Sequence, residues 1–99
     1  MSNGPIGTFD FSGKRVLVTG ASHGIGLAVA EAFCAAGADV TILSSTPDIL
    51  EAAKGIEART GRAVDGAVCD ITDRAAVRRT VGALAKLDVL VNNAGLERI

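Results

Sequence analysis

Gly20, Gly24 and Gly26 follow directly on Val16-Leu17-Val18-Thr19, a run without a charged residue. Such a run reads as a strand covered on both faces, as in a parallel sheet. The glycines remove side chains where the backbone must turn tightly and lie close to another group. A helix over residues 24–36 comes next, and its first N–H groups have no partner within the helix. Their dipoles direct its positive end at the turn. Strand, glycine turn and helix N-terminus together make a site suited to phosphate. Ser22 adds a hydroxyl and Ile25 a backbone N–H. His23 either carries a proton towards an anion or stays neutral and faces solvent.

The elements that must position this turn follow in regular alternation. In the first helix Ile25, Val29 and Phe33 recur four apart beside Ala28, Ala32 and Ala36, which predicts one apolar stripe. Gly37 ends that helix. A second strand spans 39–43. Thr46 and Pro47 then open a second helix as N-cap and first residue, with Ile49, Ala53 and Ile56 inward and Gly61 at its end. A third strand spans 64–69, weakened by Asp65 and Gly66. Thr72 caps a third helix whose stripe is Val77, Val81, Leu84 and Ala85, with Arg74, Arg78, Arg79 and Lys86 as a solvated face. The fourth strand spans 88–92. Right-handed β-α-β crossovers imply an α/β fold with a parallel sheet in the order 3-2-1-4, the first four strands of a doubly wound Rossmann-type sheet. Residues 1–8 read as a flexible leader, and 9–99 as the folded part. Val89-Leu90-Val91 would form an apolar sheet edge, which implies a longer protein of which this is the front part.

Composition narrows the function classes. The net charge is −1 with no basic run, which gives no electrostatic case for nucleic acid or an anionic membrane surface. No apolar run is long enough to span a bilayer, and the first residues lack the charged and apolar regions of a signal peptide. Cys34 and Cys69 lie far apart and read as two reduced, buried thiols in a cytoplasmic protein. With His23 as the one histidine, a histidine-based metal cluster is ruled out.

Two motifs carry a family resemblance. Thr19-Gly20-Ala21-Ser22-His23-Gly24-Ile25-Gly26 matches Thr-Gly-x-x-x-Gly-x-Gly, and Asn92-Asn93-Ala94-Gly95 matches Asn-Asn-Ala-Gly, each placed after a strand. In both, the chain resembles the short-chain dehydrogenases/reductases, from about Phe9 onward. The resemblance implies a dinucleotide laid across the turn. Gly20 permits the turn, Gly24 lets the pyrophosphate approach, and Gly26 lets the helix pack near the strands. It implies that Asp70 accepts a hydrogen bond from the adenine, with the Ile71 backbone flanking the ring. A second reading makes Asp70 a cap near Thr72. Asn92, Ala94 and Gly95 would line the ribose and nicotinamide side, or would simply turn the chain. Asn92 and Asn93 can also tie the fourth strand to the turn after the first.

Cofactor choice rests on the end of the second strand. Proteins of this fold that take NAD usually have an acid there, bonding the ribose hydroxyls. Here Ser44 and Ser45 stand in that place, followed by Thr46, and Asp48 falls within the next helix. Hydroxyls without a carboxylate favour NADP over NAD. The implied reaction moves hydride between nicotinamide and a carbonyl or alcohol substrate, in a homotetramer or homodimer. The family's serine and Tyr-x-x-x-Lys group lie downstream of Asn-Asn-Ala-Gly, and these 99 residues contain no tyrosine, so no catalytic residue is assigned. The alternative is a non-catalytic dinucleotide-binding or regulatory protein. An epimerase or dehydratase of the extended branch fits less well, because its glycine spacing differs.

Overall fold

A computed structural model describes residues 10–70, 72–84 and 86–93. The chain runs β1 (Arg15–Thr19), α1 (Gly24–Ala35), β2 (Asp39–Ser44), α2 (Asp48–Thr60), β3 (Asp65–Val68), α3 (Arg74–Gly82) and β4 (Val89–Asn92). The strands form one sheet in the order β3-β2-β1-β4, as expected. All three pairings are parallel. The registers Thr19↔Leu43, Thr19↔Asn92 and Ser44↔Val68 bring the carboxyl ends of the four strands to one edge. The expected leader, Phe9, Ile71, Ala85, Ala94, Gly95 and the last four residues lie outside the described residues.

Alternation along the central strands divides the core into two layers. Val16, Val18, Val40 and Ile42 pack with Ala30 and Cys34 of α1 and Ile49, Ala52, Ala53 and Ile56 of α2. On the other face Leu17 and Leu43 join Cys69, with Val77 and Val81 of α3 against them. Both cysteines are free and buried, as expected. β3 and β4 form the sheet edges. Leu90 of β4 is 57 % exposed and helps line a cavity of about 290 Å³ beside α3. Among the described residues no helix is long and apolar enough to cross a membrane.

Five expectations are corrected. The buried line of α1 is Gly26, Ala30 and Cys34 rather than Ile25, Val29 and Phe33, and Ile25 is 66 % exposed. Apart from Glu31 the helix is apolar, so periodicity does not choose a face; small residues face the sheet because the helix lies close on it. Phe33 still contributes, edge-on to Phe11 with ring centroids 5.1 Å apart. Thr46 does not cap α2. Pro47 takes that position without a side-chain cap bond, and the Thr46 hydroxyl meets Ser44 Oγ at 3.4 Å instead. Thr72 does not cap α3. Asp73 does, its carboxylate accepting from the Ala76 N–H at 3.1 Å, while Thr72 turns back to Asp70. α3 also stops at Gly82, so Leu84 lies beyond the helix. Gly66, expected only to weaken β3, has a positive role: a Cβ there would lie 3.1 Å from both the Ala53 Cβ and the Ile49 carbonyl, so glycine lets α2 settle on the strand.

Candidate functional site

The turn after β1 is built from backbone geometry. Gly20 and Gly24 have φ of 65° and 67°, the left-handed region that L side chains rarely adopt. The Gly20 and Ala21 N–H groups both donate to the Leu43 carbonyl, at 2.8 and 3.4 Å, which anchors the turn to the end of β2. α1 then starts at Gly24. Its N-cap, His23, is extended and makes no side-chain cap bond, and the first turn carries no acidic residue. The positive end of the helix thus faces outward with no carboxylate of its own to neutralise it.

Gly26 is dictated by space. A Cβ there would collide with the Gly20 carbonyl oxygen and come within 2.5 Å of Asn93 Nδ2. Asn93 is 2 % exposed and ties the fourth strand to this junction. Its Nδ2 donates to the Gly20 carbonyl at 3.0 Å and its N–H to Thr19 Oγ1 at 3.1 Å. Thr19 Oγ1 in turn donates to Asn92 Oδ1 at 3.0 Å. The expected tie between the asparagines and the turn is therefore present. The Thr19 hydroxyl as its hub was missed; the signal was a lone hydroxyl closing an apolar strand.

The end of β2 is held differently. Ser44 is 7 % exposed, whereas Ser45, Thr46, Pro47 and Asp48 all face solvent. Ser44 Oγ lies 3.5 Å from Ser22 Oγ and 3.4 Å from Thr46 Oγ1, and Ser22 Oγ lies 3.2 Å from His23 Nδ1. The two turns are thus joined by side-chain hydroxyls. Asp48 belongs to this group: a hydrogen bond from the Thr46 hydroxyl, helped by its own N–H and by His23, holds its carboxyl below the usual range. Sequence reading placed Asp48 in α2, correctly.

At the end of β3, Asp70 is exposed. Its Oδ1 accepts from the Thr72 hydroxyl at 2.7 Å and the Thr72 N–H at 2.9 Å. Those two bonds lower its pKa. Asp70 is therefore fixed by a local turn rather than by capping α3. Gly20, Ser22, His23, Gly24, Ile25, Gly26, Ser44, Ser45, Asp70 and Asn92 all lie along the one carboxyl edge of the sheet, set there by the strand registers. Among the described residues no group of three His, Cys, Asp or Glu side chains could hold a metal ion.

Comparison with known proteins decides the family. The sequence profile of the short chain dehydrogenases matches residues 14–99. The chain belongs to the short-chain dehydrogenase family. Gluconate 5-dehydrogenase of Gluconobacter oxydans is 42 % identical over 95 residues, covering 91 % of this chain and 37 % of that protein. D-erythrulose reductase of Gallus gallus is 44 % identical over 86 residues, covering 87 % and 33 %. Among solved structures, L-sorbose reductase of Gluconobacter frateurii, complexed with NADPH and L-sorbose, superposes with a TM-score of 0.77 at 33 % identity, covering 89 % of this chain and 35 % of that one. The chain spans about a third of the length of these relatives. As a short-chain dehydrogenase segment it has the family's Rossmann-type α/β sheet, in the strand order its own sequence implied.

Proposed function

We propose that this chain is the dinucleotide-binding part of an NAD(P)-dependent oxidoreductase acting on a small carbonyl or alcohol substrate. The observation that carries the reading is the uncapped, acid-free N-terminus of α1, set on a two-glycine turn at the same sheet edge as Asp70 and Asn92. The donor set fits an anionic dinucleotide. The N–H groups of the first turn of α1, with the Ser22 hydroxyl, would hold the pyrophosphate. Gly24 keeps that approach open, and Gly26 lets the helix lie close enough to present it. Asp70 is held in place by Thr72 and would accept from the adenine amino group, beside Ile71. Asn92, Ala94 and Gly95 would border the ribose and nicotinamide. The bound nicotinamide supplies the hydride-transfer chemistry, and the protein's part is to bind and orient it.

For the nucleotide itself we favour NADP over NAD, because β2 ends in Ser44 and Ser45 and no acidic side chain stands at that position. The NADPH complex of L-sorbose reductase supports this direction. Activity on a carbonyl or alcohol, a homodimer or homotetramer and a cytoplasmic location belong to the same proposal. Binding of NADPH and NADH to the chain, followed by the nucleotides' own fluorescence, tests it. Saturable binding of at least one, abolished by Gly24→Val, is expected; binding that survives Gly24→Val would overturn the site.

A rival of a different class keeps the nucleotide site without the reaction, since none of these residues is a tyrosine. Absence of nucleotide oxidation or reduction across a panel of carbonyls and alcohols, in a protein that still binds, would favour that rival.

A further inference from the structure

The two oxygens of the carboxylate at the end of β3 have different surroundings. Asp70 Oδ1 accepts from the Thr72 hydroxyl at 2.7 Å and from the Thr72 N–H at 2.9 Å. Each oxygen of an ionised carboxylate offers about two acceptor positions. Thr72 therefore fills Oδ1. Among the described residues nothing donates to Oδ2. The two bonds also hold the Asp70 carboxyl below the ordinary range, so it is an acceptor at neutral pH.

The main chain is fastened on both sides of this aspartate. The Cys69 N–H donates to the Ser44 carbonyl at 2.8 Å, and the Asp70 carbonyl accepts from the Asp73 N–H at 2.9 Å. Asp73 in turn caps α3. The backbone at Asp70 is thus set by β2 and by α3. Its side chain is exposed, and among the described residues only Thr72 bonds it. An exposed aspartate left to itself exchanges between rotamers. Two donors gripping one oxygen stop that exchange and leave the other oxygen in one place.

We propose that Thr72 is a positioning residue for the choice of base: by occupying Oδ1 it fixes Oδ2 as an acceptor for the exocyclic amino group of adenine, and it makes the site reject a base with a carbonyl in that place. This rests on the nucleotide reading of the sheet edge, in which Asp70 meets the adenine. An amino group donates to a carboxylate, whereas the carbonyl of hypoxanthine sets lone pairs against lone pairs. A mobile carboxylate swings aside and tolerates either base. A fixed one cannot, and a polar group held in place against the wrong partner is what gives a site strong discrimination. Thr72 acts through Asp70 and needs no contact with the nucleotide.

Dissociation constants of NADPH, NADH and their hypoxanthine analogues for the chain and its variants test the proposal. The parent should prefer adenine over hypoxanthine by at least about tenfold, the scale of a hydrogen bond to a charged group. Thr72→Val keeps the shape and the N–H but removes the hydroxyl. It should narrow that preference by about three- to tenfold, through weaker binding of the adenine forms alone, and Thr72→Ser should restore it. In an Asp70→Ala background Thr72→Val should change nothing further. Equal weakening of adenine and hypoxanthine forms would make Thr72 a support of the local fold only, and the proposal wrong. An unchanged preference in Thr72→Val overturns it as well. A parent that binds both bases alike would show that Asp70 does not read the amino group, with the phosphate turn intact. A parent that binds none of the nucleotides overturns the underlying site reading and this proposal with it. Should Thr72→Val not fold, judged by circular dichroism, Thr72→Ala at this exposed position takes its place.

Discussion

The turns after β1 and β2 occupy equivalent places in the fold and are built on opposite plans. After β1, a residue 2 % exposed, Asn93, bonds the Gly20 carbonyl, and Gly26 fits only because it has no side chain. After β2, a solvent-facing Thr46 and a half-buried Ser22 meet Ser44 through contacts of 3.3 to 3.5 Å. The first turn is held by close packing, where a displacement of a few tenths of an ångström is felt. The second is held by long contacts between hydroxyls, which can rotate without any atom of the backbone moving. On the proposed reading this division is chemically apt. Every dinucleotide presents the same pyrophosphate to the first turn, whereas the group on the adenosine ribose, which differs between NAD and NADP, meets the second. Rigidity sits where the ligand is constant, and adjustable polarity where it varies.

The comparison is broken most directly by filling the space at the first turn. Gly26→Ala places a Cβ against the Gly20 carbonyl, a backbone atom fixed by β1 and by Asn93, and against Asn93 Nδ2. Neither neighbour can withdraw as a flexible side chain would. The expected loss is about 3 kcal/mol of stability, the upper range for overpacking a tight interior, together with loss of nucleotide binding. Thermal denaturation checks it; a melting temperature equal to the parent's would show that α1 is not seated so closely.

Removing the partner instead of adding bulk should cost less. Asn93→Ala deletes the bond to the Gly20 carbonyl and leaves that acceptor at a buried junction, a loss of about 2 kcal/mol. The fourth strand would stay paired with β1 through its backbone, so the sheet should survive and the turn loosen. Urea denaturation with an unchanged slope and a lower midpoint is the expected result. If the midpoint does not move, the asparagine is not what fastens the strand to the turn.

At the second turn a substitution should act on selectivity. Ser44→Asp sets a carboxylate at the end of β2, where it would accept from ribose hydroxyls and repel a 2′-phosphate. The ratio of NADPH to NADH affinity should fall by about tenfold, equivalent to about 1.4 kcal/mol. Isothermal titration with both nucleotides measures it. No change in the ratio would mean that the end of β2 does not meet the ribose.

The same contrast explains what could be read in the sequence. Strand order was legible because β1 is an unbroken apolar run, β2 is mostly β-branched and apolar, and the crossovers have one hand. Gly26 and Asn93 were legible as a junction because close approach demands particular residue types. The buried face of α1 was not, since a helix apolar on nearly every side carries no periodic signal, and sterics at Gly26 chose the face. Nor were the caps. Thr46 and Thr72 are good N-cap residues by type, yet the Thr46 hydroxyl meets Ser44 and the Thr72 hydroxyl donates to Asp70, each two positions back. Local side-chain bonds of this kind compete with capping, and their outcome depends on loop geometry that type and spacing do not encode. Of the expected site, Ile71, Ala94 and Gly95 lie outside the described residues.

The smallest effect expected concerns acid. Asp88 accepts from the Arg15 N–H at 2.8 Å at the start of β1 and lies 3.4 Å from Lys86 Nζ, while Asp70 accepts twice from Thr72. In both, hydrogen bonds to the charged form lower the pKa on folding, with the Arg15 N–H the leading cause for Asp88 and the Thr72 hydroxyl for Asp70. The sign follows from linkage. A carboxyl whose pKa is depressed in the folded state binds protons more readily when unfolded, so its contribution is complete above the ordinary carboxylate value, about 4, and is lost as pH falls below it. Both groups are exposed, so the change is small. Asp88 clamps two strands and Asp70 only its own turn, so Asp88→Asn should flatten the fall in melting temperature between about pH 4.5 and 2.5 more than Asp70→Asn. The opposite order would mean that the Asp70 turn, on the side of the proposed adenine contact, holds more of the fold than its purely local bonds imply.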